Sequence, residues 1–383
     1  MNIDDLITPA LLIEKDKLVR NIASMAEKAR KSRVALRPHI KTHKCIEIAN
    51  LQTEYGAQGI TVSTSGEAEA FIDAGFSDLT LAFPLVPNKI PHALQLAKRA
   101  SLNVLVDHPS IITVLEAECI AADQTMNVLL KVNSGYPRCG INPTEQGSID
   151  LAQQINDASH LTFGGILTHA GHAYYSKSHA ELSSVAMEEQ NIMLQFAQRL
   201  QAEGLNPNAV SIGATPTATI TERFQEGITE IRPGNYVFFD NTQVMLGVCD
   251  LSDCALSVLA SVVSVQSDYI VTDAGASTLT KDVGASHIDP NQGYGVVLTS
   301  VSTDTPAQAK IVSLSHVHGK IQFANPSSHS SFTPGDLIRI IPNHSCLTTN
   351  LFDHYYIIDG NRVIDTWHIQ RERLSTPIFT SEK

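Results

Sequence analysis

Long apolar runs are missing from this sequence. No stretch approaches the ~18–20 consecutive apolar residues of a membrane-spanning helix, so a membrane partner is not expected. Basic residues are scarce too: 27 Lys and Arg stand against 39 Asp and Glu, a formal net charge of −12. Nucleic acid is therefore not an expected partner, because its phosphates need clustered Lys and Arg, although a local basic pocket for one small anion stays open. The six cysteines (Cys45, Cys119, Cys139, Cys249, Cys254 and Cys346) follow no disulfide-framework spacing. The stretch MNIDDLITPALL lacks the positive region and apolar core of a secretory signal. Free thiols and a cytoplasmic location are the resulting expectations, with any functional cysteine a ligand rather than half of a bridge. Charged residues make up 17% and hydrophobic ones 43%, which excludes a disordered chain. At 383 residues the chain exceeds one ordinary hydrophobic core, so two domains are expected.

From residue 34 to 235 short β-like runs alternate with longer amphipathic segments. The candidate strands are 34–38, 59–62, 78–82, 102–106, 126–132, 161–169, 209–213 and 230–233. Among the helical stretches between them, 65–74 opens on Ser65 with Glu67 and Glu69 in its first turn, and 178–203 is the longest. Strands separated by helices imply parallel βα units with right-handed crossovers. Eight units of even length over roughly 200 residues favour a closed (β/α)8 TIM-type barrel over an open doubly wound sheet. After Val248 the texture changes to β-branched runs at 255–273, 310–315, 337–342, 355–358 and 362–367 without a long helix between them. This predicts an α/β barrel over residues 16–247 and a mostly antiparallel β domain over 248–383. The strand-like TPALLIE at 8–14 leaves residues 1–15 able to join either.

The motif RPHIKTHK (37–44) directly follows the first barrel strand. Barrel chemistry sits at the C-terminal ends of strands, where the loops converge. Lys41, bracketed by His39 and His43 and near Arg37, has cationic neighbours if those histidines protonate. Like charge and desolvation both depress a lysine pKa and make its amine a nucleophile. The alternative is a pair of solvated lysines, Lys41 and Lys44, opening a helix. Independently, SIGATPT follows the seventh strand and RPGNY the eighth, the two loops that frequently form a barrel's phosphate site. A lysine and an anion cradle at one end of a barrel together imply a phosphorylated cofactor held as a Schiff base.

These segments, with SGYPRCGI, THAGHAY, EIRPGNYVFFD and PNHSCLTTNLFD, resemble the alanine-racemase-like pyridoxal-phosphate enzymes, in the branch of D-serine dehydratases and D-threonine aldolases. The resemblance implies that Lys41 carries pyridoxal 5'-phosphate, that Arg138 lies near its phenolic oxygen and that His169 packs on its ring. It further implies that Gly213, Thr215, Thr217, Gly234, Asn235 and Tyr236 surround the phosphate, with Tyr174 of HAGHAY among the cofactor-binding residues. His344 and Cys346 form an HxC pair after the strand 337–342. If the chain is still extended there, both side chains face one way and could share an ion. Imidazole with thiolate suits zinc best, with manganese and magnesium as alternatives. The resemblance places a metal pair at this point, written with a cysteine in the dehydratases and a carboxylate in the aldolases.

The expected protein is a homodimeric lyase that eliminates the β-hydroxyl of D-serine or another small D-3-hydroxy amino acid, giving a 2-oxo acid and ammonia. Retro-aldol cleavage of D-threonine-like substrates to glycine and an aldehyde is the alternative. A racemase needs a second base and no metal. A non-catalytic pyridoxal-phosphate-binding barrel would lack the β domain.

Overall fold

A computed structural model of the chain describes residues 1–301, 303–325 and 331–370. It divides into two compact units: Met1–Glu27, Ala173–Ser183 and Gly234–Ile369 form one, Lys28–His172 with Ser184–Pro233 the other. The strand β1 (Ala10–Glu14) belongs to the first unit, so TPALLIE joins the β domain.

The second unit is the barrel. Its staves are β2 (Ala35–Leu36), β3 (Ile60–Val62), β4 (Asp78–Pro84), β5 (Ser101–Val106), β6 (Met126–Lys131), β7 (Leu161–Leu167), β8 (Ala209–Ile212) and β9 (Glu230–Ile231). All neighbours pair in parallel in the order β2-β9-β8-β7-β6-β5-β4-β3, and a parallel bridge from His39 to Thr61 joins the two ends of that order. Every expected stave is present, with ends shifted by one or two residues. These runs are legible because strands covered on both faces are almost continuously apolar. The helix Ser65–Asp73 differs in one detail. Its cap is Thr64, whose hydroxyl accepts from Glu67 N (3.1 Å), while Glu67 reaches back to Ser63 N (2.6 Å), so Ser65 is already inside the first turn.

Side chains alternate in and out along each stave, and the contacts fix which are inside. One side of the interior is apolar, with Leu105, Leu129 and Leu167 packed on Ala82 and Ala209. The other is an ionic ladder. Asp78 accepts from both terminal nitrogens of Arg37 (2.7 and 3.0 Å), whose Nε gives to Glu230 (2.6 Å). Glu230 then accepts from the Ser211 hydroxyl, which accepts from Arg232.

The first unit is built on a sheet that is nine-stranded among the described residues. Its remaining strands are β10 (Leu256–Val265), β11 (Ile270–Thr272), β12 (Val296–Val297), β13 (Ala309–Leu314), β14 (Gly319–Phe323), β15 (Leu337–Ile341), β16 (His354–Asp359) and β17 (Arg362–His368). The pairings are antiparallel except for β1 with β16, where Leu12 faces Tyr356. On its other edge β1 pairs with β10, Ala10 facing Leu259. The run 255–273, read as one from its β-branched residues, is a hairpin: Gln266 N bonds to Tyr269 O at 2.9 Å, and the Gln-Ser-Asp turn divides it. All six cysteines are free, and among the described residues no helix is long and apolar enough to cross a membrane.

Candidate functional site

Lys41 stands in a single 3-10 turn, Ile40–Thr42, immediately after β2. The histidines beside it do not act as expected. Burial above all, then the charges of Lys41, Arg232 and His169, holds His39 well below the ordinary histidine pKa, so its ring is neutral. His43 is buried, its pKa pushed down to about 3, and its Nδ1 accepts from Cys45 N at 3.1 Å, a structural role. Lys44 turns to Glu67, 3.6 Å away. The cations gathered with Lys41 are therefore lysine and arginine rather than imidazolium.

Lys131 ends β6 with 6% of its surface exposed. Burial first, then Arg232, lowers its pKa to about 8. Arg232 follows β9, fully buried, with its pKa brought down to about 10 by burial, and gives its guanidinium to Ser211 and to Thr168 O. Among the described residues neither Lys131 nor Arg232 has a carboxylate within ion-pair distance. His169 follows β7, made neutral by burial and then by Lys41, Lys131 and Arg138, with Nδ1 3.4 Å from Gly213 O. Lys41, Arg138, His169 and Gly213 thus share one neighbourhood. Arg138 itself is exposed on the loop after β6, its guanidinium 5.2 Å from the Tyr136 ring centre.

The turn after β8 is fastened from behind. Glu189, fully buried on the helix His179–Ala202, accepts from Ala170 N (3.2 Å), Gly213 N (3.1 Å) and the Thr217 hydroxyl (3.0 Å). Burial raises its pKa, and these donors work against that rise. Two groups that the sequence points toward a phosphate, Gly213 N–H and the Thr217 hydroxyl, are thereby committed to a protein carboxylate. Gly213 keeps a different use: at φ +118° a side chain is strained there, and a Cβ would come within 3.1 Å of Arg232 N. Thr215 opens the short helix Thr215–Ile220, buried.

In the other unit Tyr174 lies half-buried on the 3-10 turn Gly171–Tyr175, while Asn235 and Tyr236 lie buried on the turn Asn235–Val237, which follows Gly234. The HxC pair is extended only at its first residue. His344 is the N-cap of the helix Ser345–Thr349, so Cys346 sits in a helical first turn, and the alternation argument does not apply. The pair still meets, with the His344 ring hydrogen-bonded to Cys346. His344 Nδ1 lies 3.1 Å from Asp282, the carboxylate–histidine arrangement that orients a ligand ring in metal sites. Asp282 and Cys346, against the cost of burial, hold the His344 pKa well above its ordinary value. Among the described residues no three His, Cys, Asp or Glu side chains converge as a ligand set.

Sequence reading missed Glu189, Lys131, Asp240 and Asp282. Lys131 had a signal, a lysine closing an apolar stave. Glu189 had none, because one glutamate among the polar residues of a long helix looks solvated.

Residues 13–242 match the model of the alanine racemase N-terminal domain, and residues 255–358 match that of a serine dehydratase domain. The chain is 35% identical to the D-threo-3-hydroxyaspartate dehydratase of Delftia sp. (strain HT23), over 94% of this chain and 96% of that one. It is 33% identical to a Dictyostelium discoideum D-serine dehydratase, covering 96% and 97%. With an Arthrobacter D-threonine aldolase the identity is 28% over 96% and 93%. The solved Delftia enzyme superposes with a TM-score of 0.91 at 33% identity, over 96% of this chain and 98% of that one. Solved variants of it include a histidine-to-alanine form and, two positions further on, a cysteine-to-alanine form described as metal-free.

Proposed function

This chain belongs to the family of the alanine racemase N-terminal domain, and from that premise we propose that it is a pyridoxal-phosphate-dependent lyase of small D-3-hydroxy amino acids. One observation carries the reading: Lys41 stands at the end of the first stave in a cluster where Lys131 and Arg232 lack ion-paired carboxylates and the histidines are neutral. Burying such cations costs free energy that a bound anion offsets. A phosphorylated cofactor fits that need.

Lys41 is the residue we assign to the cofactor aldehyde. Gly213, Thr215 and Thr217, with Gly234, Asn235 and Tyr236, are assigned to its phosphate, and Arg138, His169 and Tyr174 to the rest of the cofactor. Because Glu189 takes Gly213 N–H and the Thr217 hydroxyl, these two positions shape the cradle by their backbone path. When bound, the cofactor supplies an electron sink for negative charge at the substrate Cα. Lys41 Nζ takes the Cα proton and holds it as ammonium. His169, uncharged and fixed by Gly213 O, offers a flat face that does not compete for that proton.

His344 and Cys346 are assigned to a divalent ion, zinc by ligand type, which would supply Lewis acidity toward a departing hydroxyl. The spacing of the two Delftia variants, one of them metal-free, supports this pair. Elimination to a 2-oxo acid and ammonia is the favoured outcome, because Cys346 occupies the second ligand position and the two most identical of these relatives are dehydratases. A homodimer in the cytoplasm completes the reading, and light scattering at assay concentration tests the dimer. The deciding assay incubates the purified protein with D-serine, D-threonine and D-3-hydroxyaspartate. A 2-oxo acid with ammonia is expected; glycine with an aldehyde would make it an aldolase, and neither product would overturn the reading.

A further inference from the structure

We propose that Asp240 is a positioning residue that ties the segment 234–236 to the His344–Cys346 pair, so that an anion on the first and a divalent cation on the second bind cooperatively. The inference rests on the assignments just made for those two places, and adds a coupling between them.

Asp240 is 1% exposed, and its two carboxylate oxygens have separate tasks. Oδ1 caps the helix Asn241–Met245 by accepting from Gln243 N at 3.1 Å. Oδ2 points the other way and accepts from Asn235 Nδ2 (2.7 Å), Ser345 N (2.9 Å) and the Ser345 hydroxyl (3.3 Å). Ser345 is the residue between the two ligands, so fixing its N–H fixes the path of the chain through both. The residue next to Asp240 fastens the same turn: Asn241 N bonds to Pro342 O at 3.1 Å, and Asn241 Nδ2 to Asn343 Oδ1 at 2.8 Å.

Asn235 is the other end of the strut. One hydrogen of its amide goes to Asp240; the second goes to Ser345 Oγ at 2.8 Å, with Cys346 Sγ at 3.8 Å. Its Oδ1 is buried with no hydrogen-bond partner among the described residues. The side chain therefore serves the turn that carries His344 and Cys346, and the backbone N–H is left for an anion. Any shift of segment 234–236 on anion binding moves the amide against Asp240, Ser345 and Cys346. Charge acts in the same sense. A buried carboxylate repels an anion held by the neighbouring segment, and a divalent ion at His344 and Cys346 offsets that repulsion. Each ligand thus improves the site for the other, and linkage requires the two factors to be equal.

Cobalt(II) is the probe, since thiolate ligation colours it. It is titrated into metal-free protein with and without pyridoxal phosphate, and pyridoxal phosphate is titrated with and without cobalt. We expect each to tighten the other by the same factor, about fivefold or more. In Asp240→Asn that factor should fall to about one while both ligands still bind; Asn235→Ala, which cuts the strut but keeps the carboxylate, and Ser345→Ala, which keeps the N–H, should each retain part of it. If Asp240→Asn does not fold, a fall of the factor in Asn235→Ala carries the test. A wild-type factor of one, or a factor undiminished in Asp240→Asn and in Asn235→Ala, overturns the coupling and leaves the lyase reading standing. A protein that takes up neither ligand overturns both.

Discussion

The C-terminal end of the barrel and the turn around His344 use the same device for opposite ends. Each is organised by one buried carboxylate that collects backbone and side-chain donors, Glu189 in the first and Asp240 in the second. Their surroundings have opposite sign. Glu189 lies among Lys131 and Arg232, with Glu230 acting on Arg232 as well, and burial still lowers the pKa of both cations. Asp240 lies beside His344, with Asp282 and the Cys346 thiol as further acidic groups. On the reading proposed above, the barrel end would take an anion and the turn around His344 a cation.

The comparison breaks first at Lys41. If Lys41 is both attachment point and base, as proposed, Lys41→Ala should lower 2-oxo acid formation by about 10³-fold or more. Its metal content at saturating zinc, measured by plasma emission, should stay that of wild type. Turnover near wild-type rates would remove the barrel end from the chemistry. Next comes Cys346→Ala, expected to lose the metal and to slow elimination by about 10–100-fold, with cofactor absorbance intact. Were Cys346 merely core packing, the variant would instead lose about 1–3 kcal/mol of stability and keep its turnover per folded molecule.

Smaller effects sharpen the contrast. Glu189→Gln leaves donors facing an amide; it should cost about 1–3 kcal/mol in denaturant unfolding and weaken cofactor binding about tenfold in an absorbance titration. Lys131→Met tests the uncompensated cation. With the folded pKa near 8 and the unfolded value at 10.5, the unfolded chain binds the extra proton between those limits. Stability of cofactor-free protein therefore rises with pH through that window, and the full penalty, on the order of 1–3 kcal/mol, applies below pH 8. The methionine variant should melt higher than wild type at pH 7 and equal it near pH 11. A lower melting temperature at pH 7 would mean that Lys131 is already compensated.

The staves of the barrel were legible because each is a short apolar run between helical periodicities, and the alternation repeats without interruption. The place of Lys41, though not its role, was legible for a geometric reason: it follows a stave and so lies at the C-terminal end of the barrel. Lost to sequence reading were groups whose meaning depends on what they face. His39 and His43 look like potential cations until burial makes both neutral. Thr217 looks like a phosphate donor until Glu189, 28 residues earlier, takes its hydroxyl. The HxC pair was read on a premise the structure meets only at His344, since Cys346 is helical; the two side chains meet with His344 preceding the first turn as a cap.

The place of β1 bears on how the chain is made. Its partners are β10 and β16, so residues 10–14 wait while roughly 240 residues, the whole barrel among them, are synthesised before the first pairing becomes available. During that interval ALLI is an apolar strand with two unsatisfied edges, the kind of segment that seeks foreign strands. A circular permutant that moves residues 1–14 behind residue 370 would shorten the wait for β16 to a few tens of residues. Its synthesis should yield less aggregate than the natural order while its barrel folds at an unchanged rate.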